Sequence, residues 1–257
     1  MEQEENRRKP TVRGIWEELL RLVYPPKCVF CGTLLEREEQ DACKACLAEL
    51  PWTDESSAVR TGRAFSRCVS PFFLTGKVHQ ALVDYKYHQR ESYGVCFGRW
   101  MGACARRCRS DPFDLVTWVP VSRKRLRERG FDQCRLLAVQ VAKGYGMRPV
   151  RTLQKWKDVP SLASSEASPA MRRKLVAGVY RVISPETVAG KRILLVDDII
   201  TTGTTAAACA QALLHAGADS VFALAFATVE FGARPDAATP ICEDTECAEE
   251  ADFDFCP

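Results

Sequence analysis

The chain has 257 residues, 46% hydrophobic and 27% charged, with ordinary glycine and proline content. That excludes collagen-like and low-complexity chains and leaves room for one good-sized domain and a small satellite. The net charge of +3 conceals a partition: eight acidic residues against Arg234 give 232–257 a net −7, leaving +10 on the rest, and a basic body attracts phosphate-bearing partners of any kind.

The first residues, 1–14, carry mixed charge without an apolar segment or a small-residue cleavage site. They read as disordered, with no secretory signal, and a cytoplasmic location is the expectation. Ile15, Leu19, Leu22 and Val23 line one side of a short amphipathic helix that Pro25 and Pro26 end. Then come Cys28-Val-Phe-Cys31 and, after eleven residues, Cys43-Lys-Ala-Cys46. Two such knuckles bring four thiolates onto one tetrahedral ion, and Zn²⁺ suits a reducing compartment because it is redox-inert. Four sulfurs close the coordination shell, so the expected metal is structural. This module is bounded at 15–60.

From 61 to 231 the pattern is that of a second domain. A strand is expected at 68–74, helices at 77–87 and 94–108, a strand at 115–121 and a helix at 132–143. Strands follow at 150–153, 176–183 and 193–200, then a helix at 204–216 and a last strand at 221–229. Apolar strands separated by helices imply a parallel sheet covered on both faces. No apolar run approaches the roughly 18–20 residues of a membrane-spanning helix, so no integral membrane segment is expected. Cys96, Cys104 and Cys108 share one helix face and read as small buried hydrophobes. The acidic 232–257 reads as a disordered tail.

The densest chemistry lies in Ile193-Leu-Leu-Val-Asp-Asp-Ile-Ile-Thr-Thr-Gly-Thr-Thr205, which runs into an alanine-rich helix. In open α/β sheets ligands bind beyond the carboxyl ends of the strands. Thr201, Thr202, Gly203, Thr204 and Thr205 offer hydroxyls and backbone N–H groups at a helix N-terminus, a phosphate cradle. Asp197 and Asp198 would repel that phosphate unless they accept hydrogen bonds from a neighbouring diol. Both are expected beyond the strand end. A 5-phosphate, a ribose diol and a pyrophosphate occur together in phosphoribosyl pyrophosphate.

This segment resembles the signature of type I phosphoribosyltransferases. Together with Trp118-Val-Pro-Val-Ser-Arg-Lys-Arg, Arg129-Gly-Phe-Asp-Gln133, Tyr85-Lys-Tyr87 and the four cysteines, it is similar to the ComF family, associated with DNA uptake in competent bacteria. The resemblance covers about residues 15–230. It implies an α/β phosphoribosyltransferase-like domain, a parallel sheet flanked by helices, behind a small zinc-ribbon-like module. It also implies that the loop 121–125 holds the pyrophosphate, with Arg123 and Lys124 opposing its charge, and that Mg²⁺ accompanies the ligand. Two departures stand out: Asp132 replaces the family's usual asparagine, and 156–180, the family's mobile hood, carries Leu175 and Ser161 or Leu162 where asparagine and glutamine are usual.

Two functional classes follow. In one the protein binds phosphoribosyl pyrophosphate and transfers the phosphoribosyl group to a nucleophile. In the other it binds a nucleotide and single-stranded DNA without transfer and acts in competence, with a helicase as partner. Tyr85, Tyr87 and Trp156 beside basic residues would stack bases in the second class, although packing is the reading favoured for the tyrosines. The acceptor and the oligomeric state are not encoded in any motif.

Overall fold

The computed structural model describes residues 23–54, 64–108, 112–157 and 178–229. All but the last residue of the helix expected over 15–23, the expected acidic tail and most of the segment expected to form a hood lie outside them. The chain divides into two compact units between Glu49 and Leu50.

In the first unit, the first knuckle is a tight loop. The Cys28 N–H donates to the Thr33 carbonyl (2.8 Å) and the Gly32 N–H to the Cys28 carbonyl (2.9 Å). Gly32 takes φ +75°, a left-handed conformation that costs glycine nothing. The second knuckle opens helix α1 (Lys44–Glu49), and the Glu39 carboxylate accepts the Lys44 N–H at 2.8 Å. The buried hydrophobic side chains here are Cys28, Val29, Ala42 and Cys46. So small a core falls far short of the entropy of ordering the segment, about 1–2 kcal/mol per residue for the backbone alone. A crosslink is needed.

The second unit contains β1 (Arg67–Val69), β2 (Phe72–Phe73), α2 (Gly76–Tyr87), α3 (Tyr93–Arg107), β3 (Leu115–Trp118), α4 (Arg123–Arg129) and α5 (Gln133–Lys143). There follow β4 (Leu153–Lys155), β5 (Tyr180–Val182), α6 (Pro185–Val188), β6 (Arg192–Ile200), α7 (Thr204–His215) and β7 (Ser220–Thr228). The main sheet has the order β1-β7-β6-β3, with β2 also on β7, and every pairing is parallel. The single strand expected at 68–74 is two short ones, because Pro71 has no N–H to give the ladder; its carbonyl instead accepts from Thr53 N at 3.0 Å.

Both faces of the sheet are covered, as the unbroken apolar runs of β6 and β7 require. On one face Ala206, Cys209, Ala210 and Leu213 of α7 cluster with Ile193, Leu195, Val221, Ala223 and Ala225 of the sheet. The small side chains let that helix lie close. On the other face the Phe97 ring of α3 stacks on Phe226 of β7, with centroids 3.9 Å apart, and Phe72 and Tyr85 extend the aromatic layer. Helices α3 and α5 meet at Gly98, where any Cβ would collide with the Cβ of Gln140.

The strands expected at 150–153 and 176–183 do not join the parallel layer. They give the antiparallel pair β4–β5, and the segment before β4 touches the edge of β3: Val150 donates its N–H to the Val116 carbonyl at 2.8 Å, and the Thr152 and Thr117 hydroxyls lie 2.8 Å apart. Helix α4 has no buried residue and hence no amphipathic signature. Its ends hold it: Ser122 accepts the Arg125 N–H at 3.2 Å, and Gly130, at φ +82°, closes it with its N–H on the Leu126 carbonyl.

Candidate functional site

The connections of the sheet define where a ligand can sit. From β3 the chain passes through α4 and α5 to Val150 at the outer edge of β3, whereas from β6 it passes through α7 to β7 on the other side. The direction of winding reverses between β3 and β6, and the crevice beyond their carboxyl ends is the switch point at which open α/β sheets bind ligands. Their registers place Trp118 beside Val196. The loop into α4 and the segment from Asp197 to Gly203 therefore leave the sheet side by side.

Asp197 and Asp198 do not lie beyond the strand end as expected. Strand β6 stays paired with β7 through Asp197↔Ala225 and on to Ile200↔Thr228, so both carboxylates project from within the ladder. Asp197 is buried. Its Oδ1 accepts the Asp198 N–H at 2.9 Å and lies 3.5 Å from the Cys134 thiol of α5. Burial, reinforced by the neighbouring Asp198 charge, pushes its carboxyl up to about 7. Asp198 is half-buried and its Oδ2 lies 2.8 Å from Lys86 Nζ of α2. The two carboxylates thus occupy different chemical situations: one sequestered, one paired with a lysine.

The loop after them is open. Thr201 and Thr202 are exposed, and Thr202 Oγ1 and Thr204 Oγ1 are 2.8 Å apart. Gly203 takes φ +70° and begins α7 without a side-chain cap, so the first-turn N–H groups of Thr204, Thr205 and Ala206 have no capping side chain. A Cβ at Gly203 would meet the Phe65 ring at 3.6 Å, an ordinary contact. The demand for glycine is therefore set by the left-handed backbone, and crowding against the protein adds little. Across the switch point, Ser122 is buried as the cap of α4, while Arg123 and Lys124 are exposed on its first turn. Lys124 Nζ is 3.9 Å from Glu128 and bears most of its surface to solvent.

Asp132 caps α5 by accepting the Arg135 N–H (3.1 Å) and takes the Trp118 indole N–H (3.0 Å). An asparagine oxygen can do either task but not both at once from two oxygens. Tyr85 is core: its hydroxyl donates to the Gln133 carbonyl at 2.9 Å. Tyr87 is 62% exposed, with the Arg129 guanidinium 4.8 Å from its ring centre. Trp156 is 55% exposed under Arg181, 4.2 Å away. Lys157 is exposed.

Lys86 is the site residue that sequence reasoning missed. It was visible only as the middle of Tyr-Lys-Tyr; the stripe Val78, Ala81, Leu82, Tyr85 fixes the buried face of α2 and leaves Lys86 at its margin. Two adjacent carboxylates near a buried strand also call for a cation.

The four sulfurs of Cys28, Cys31, Cys43 and Cys46 all lie within 4.8 Å of one another. Cys31 and Cys43 Sγ are 3.7 Å apart. A tetrahedral ion with bonds of about 2.3 Å sets its sulfurs about 3.8 Å apart, so the donor set fits Zn²⁺ in number, type and spacing. Hydrogen bonds at Thr33 hold the Cys31 thiol down to about 6, while burial pushes Cys46 up to about 12. Cys134, Asp197 and Asp198 form the other close group among the described residues, but Lys86 already supplies its positive charge. That trio does not fit a resident Mg²⁺.

Fold and site define a parallel α/β domain with paired carboxylates and a threonine-glycine loop at its switch point, preceded in the chain by a four-cysteine zinc-ribbon module. The double zinc ribbon domain family matches residues 19–72, the span that holds the four cysteines. The chain is similar to the DNA utilization protein YhgH of Salmonella typhi, 32% identical over 119 residues, which is 46% of this chain and 51% of that one. It is likewise 30% identical over 115 residues to YhgH of Escherichia coli (strain K12), covering 42% and 46%. The chain spans about half the length of the curated relatives it matches. Among solved structures, an allosteric regulatory enzyme of purine biosynthesis matches 56% of this chain and 29% of its own, at 24% identity and a TM-score of 0.38. A glutamine phosphoribosylpyrophosphate amidotransferase from B. subtilis matches 55% and 30%, at 25% identity and a TM-score of 0.37. Among the described residues no helix is long and apolar enough to cross a membrane.

Proposed function

We propose that the α/β domain binds phosphoribosyl pyrophosphate at the β3–β6 switch point and transfers its phosphoribosyl group. The observation that carries this reading is the strand–Asp197-Asp198–Thr201-Thr202-Gly203-Thr204-Thr205–helix segment, with an uncapped α7 N-terminus at a winding reversal. The backbone N–H groups and threonine hydroxyls receive the 5-phosphate as a fixed handle. The Asp198 carboxylate accepts the ribose hydroxyls, with Asp197 behind it. Arg123 and Lys124 oppose the pyrophosphate from the other side of the crevice. Mg²⁺ bound to the pyrophosphate of the ligand would supply further positive charge to the leaving group.

In the transfer itself a nucleophile attacks C1 of the ribose as the bond to pyrophosphate breaks, through a transition state of oxocarbenium character. Arg123 and Lys124 stabilise the negative charge that accumulates on the leaving group. The structural Zn²⁺ takes no part in this chemistry, because its four thiolates leave no open position. An assay for pyrophosphate release across candidate nitrogen nucleophiles tests the transfer: release that depends on a nucleophile supports it, and ligand binding with no release for any base reduces the domain to a binder.

A second reading is favoured by the name of the YhgH relatives and by the exposed, wholly unburied α4, whose sequence Arg-Lys-Arg-Leu-Arg-Glu-Arg lies beside the Tyr87–Arg129 pair. In it the body holds single-stranded DNA through phosphates and a stacking aromatic, and acts in DNA uptake.

A further inference from the structure

The Lys86–Asp198 pair is more than a neutralising contact. Lys86 sits near the end of α2, on the aromatic face of the domain, and Tyr85 beside it is anchored through its hydroxyl to the first turn of α5. The lysine is therefore held in place. It reaches Asp198 Oδ2 at 2.8 Å, with both side chains about 15% exposed. The other carboxylate is buried, and its Oδ1 is occupied by the Asp198 N–H and the Cys134 thiol. Of the half-buried carboxylate, Asp198 Oδ1 is the oxygen that Lys86 does not hold, and it is available to a ligand hydroxyl.

We propose that Lys86 is a positioning residue for the sugar diol: by gripping one oxygen of Asp198 it fixes the carboxylate and presents the other oxygen to the ribose. This rests on the phosphoribosyl reading of the site. Without Lys86, Asp198 would stand unpaired next to Asp197, and like charges so close cannot both stay ionised. Among the described residues the titratable groups that interact electrostatically with the pair are Lys86 and Tyr85 from α2, Cys134 from α5, Tyr180 from β5 and Cys209 from α7. Lys86 is the cation among them.

The test uses the full zinc-loaded chain and two readouts. Carbon-detected NMR follows the carboxyl titration of Asp197 without ligand, and calorimetry follows phosphoribosyl pyrophosphate with Mg²⁺. Lys86→Met should move the Asp197 titration further up, because the lysine charge holds it down, and weaken ligand binding about tenfold or more at pH 7. Lys86→Arg should restore both in large part, which a packing defect would not permit. An Asp197 titration unchanged in Lys86→Met overturns the proposal whatever the ligand does. If it moves while the wild-type chain binds no phosphoribosyl pyrophosphate, the site reading fails and the grip of Lys86 on Asp198 survives it. Binding undiminished in a variant whose titration has moved overturns the positioning role alone.

Discussion

Burial pushes the Asp197 carboxyl up to about 7, and that makes the residue a pH-dependent cost to the fold. Its folded value lies above its unfolded one near 3.9, so the folded chain binds the extra proton between the two. Stability from this group is full below about pH 4 and is lost as pH rises through 7. Asp197→Asn removes the penalty. The variant should match wild type in urea unfolding near pH 4 and exceed it at pH 8; a wild-type chain that is the more stable at pH 8 contradicts this. At Gly203 the backbone decides. Alanine at φ +70° costs roughly 1–2 kcal/mol, read as a fall in unfolding free energy, and should also weaken ligand binding by misplacing the α7 N–H groups. What remained illegible at this scale was depth: the sequence shows two aspartates side by side, but only strand pairing through Ile200 decides that one is sequestered and the other meets Lys86 across 112 residues of chain.

At the scale of elements, long periodic segments were legible and short capped ones were not. Helices α2, α3, α5 and α7 and strands β6 and β7 fall within a residue or two of their expected ends, because each buries a continuous apolar face. Helix α4 buries nothing, and only its Ser122 and Gly130 caps announce it. The β4–β5 pair was misplaced because short apolar runs do not state their partner. The cysteine knuckles were the reverse case, with chemistry readable from spacing alone. One Zn²⁺ per chain is the expected content on metal analysis of reduced protein. Cys31→Ser or Cys43→Ser should release it and unfold the segment around 23–49, while near-ultraviolet circular dichroism of the α/β domain persists, since the metal links only local segments. Loss of both signals together would show that the two units do not fold independently.

For the whole molecule the charge partition sets the terms of any contact with nucleic acid. If the +10 body holds single-stranded DNA through phosphates, affinity should fall log-linearly with salt. Removing 232–257, which carries −7, should strengthen that binding at low salt by lifting competition for the same positive surface. Unchanged affinity on truncation would mean that the tail does not compete. The phosphoribosyl claim is tested most directly by isothermal titration of the zinc-loaded chain with phosphoribosyl pyrophosphate and Mg²⁺, beside Asp197→Asn/Asp198→Asn. Hydrogen bonds to a carboxylate are worth roughly 1.5–3 kcal/mol against about 1 for neutral acceptors. The double variant should therefore remain folded and bind about ten- to a hundredfold more weakly. A double variant that binds as tightly as wild type at matched Mg²⁺ and salt, or a wild-type chain that shows no saturable heat, would contradict the assignment of this site.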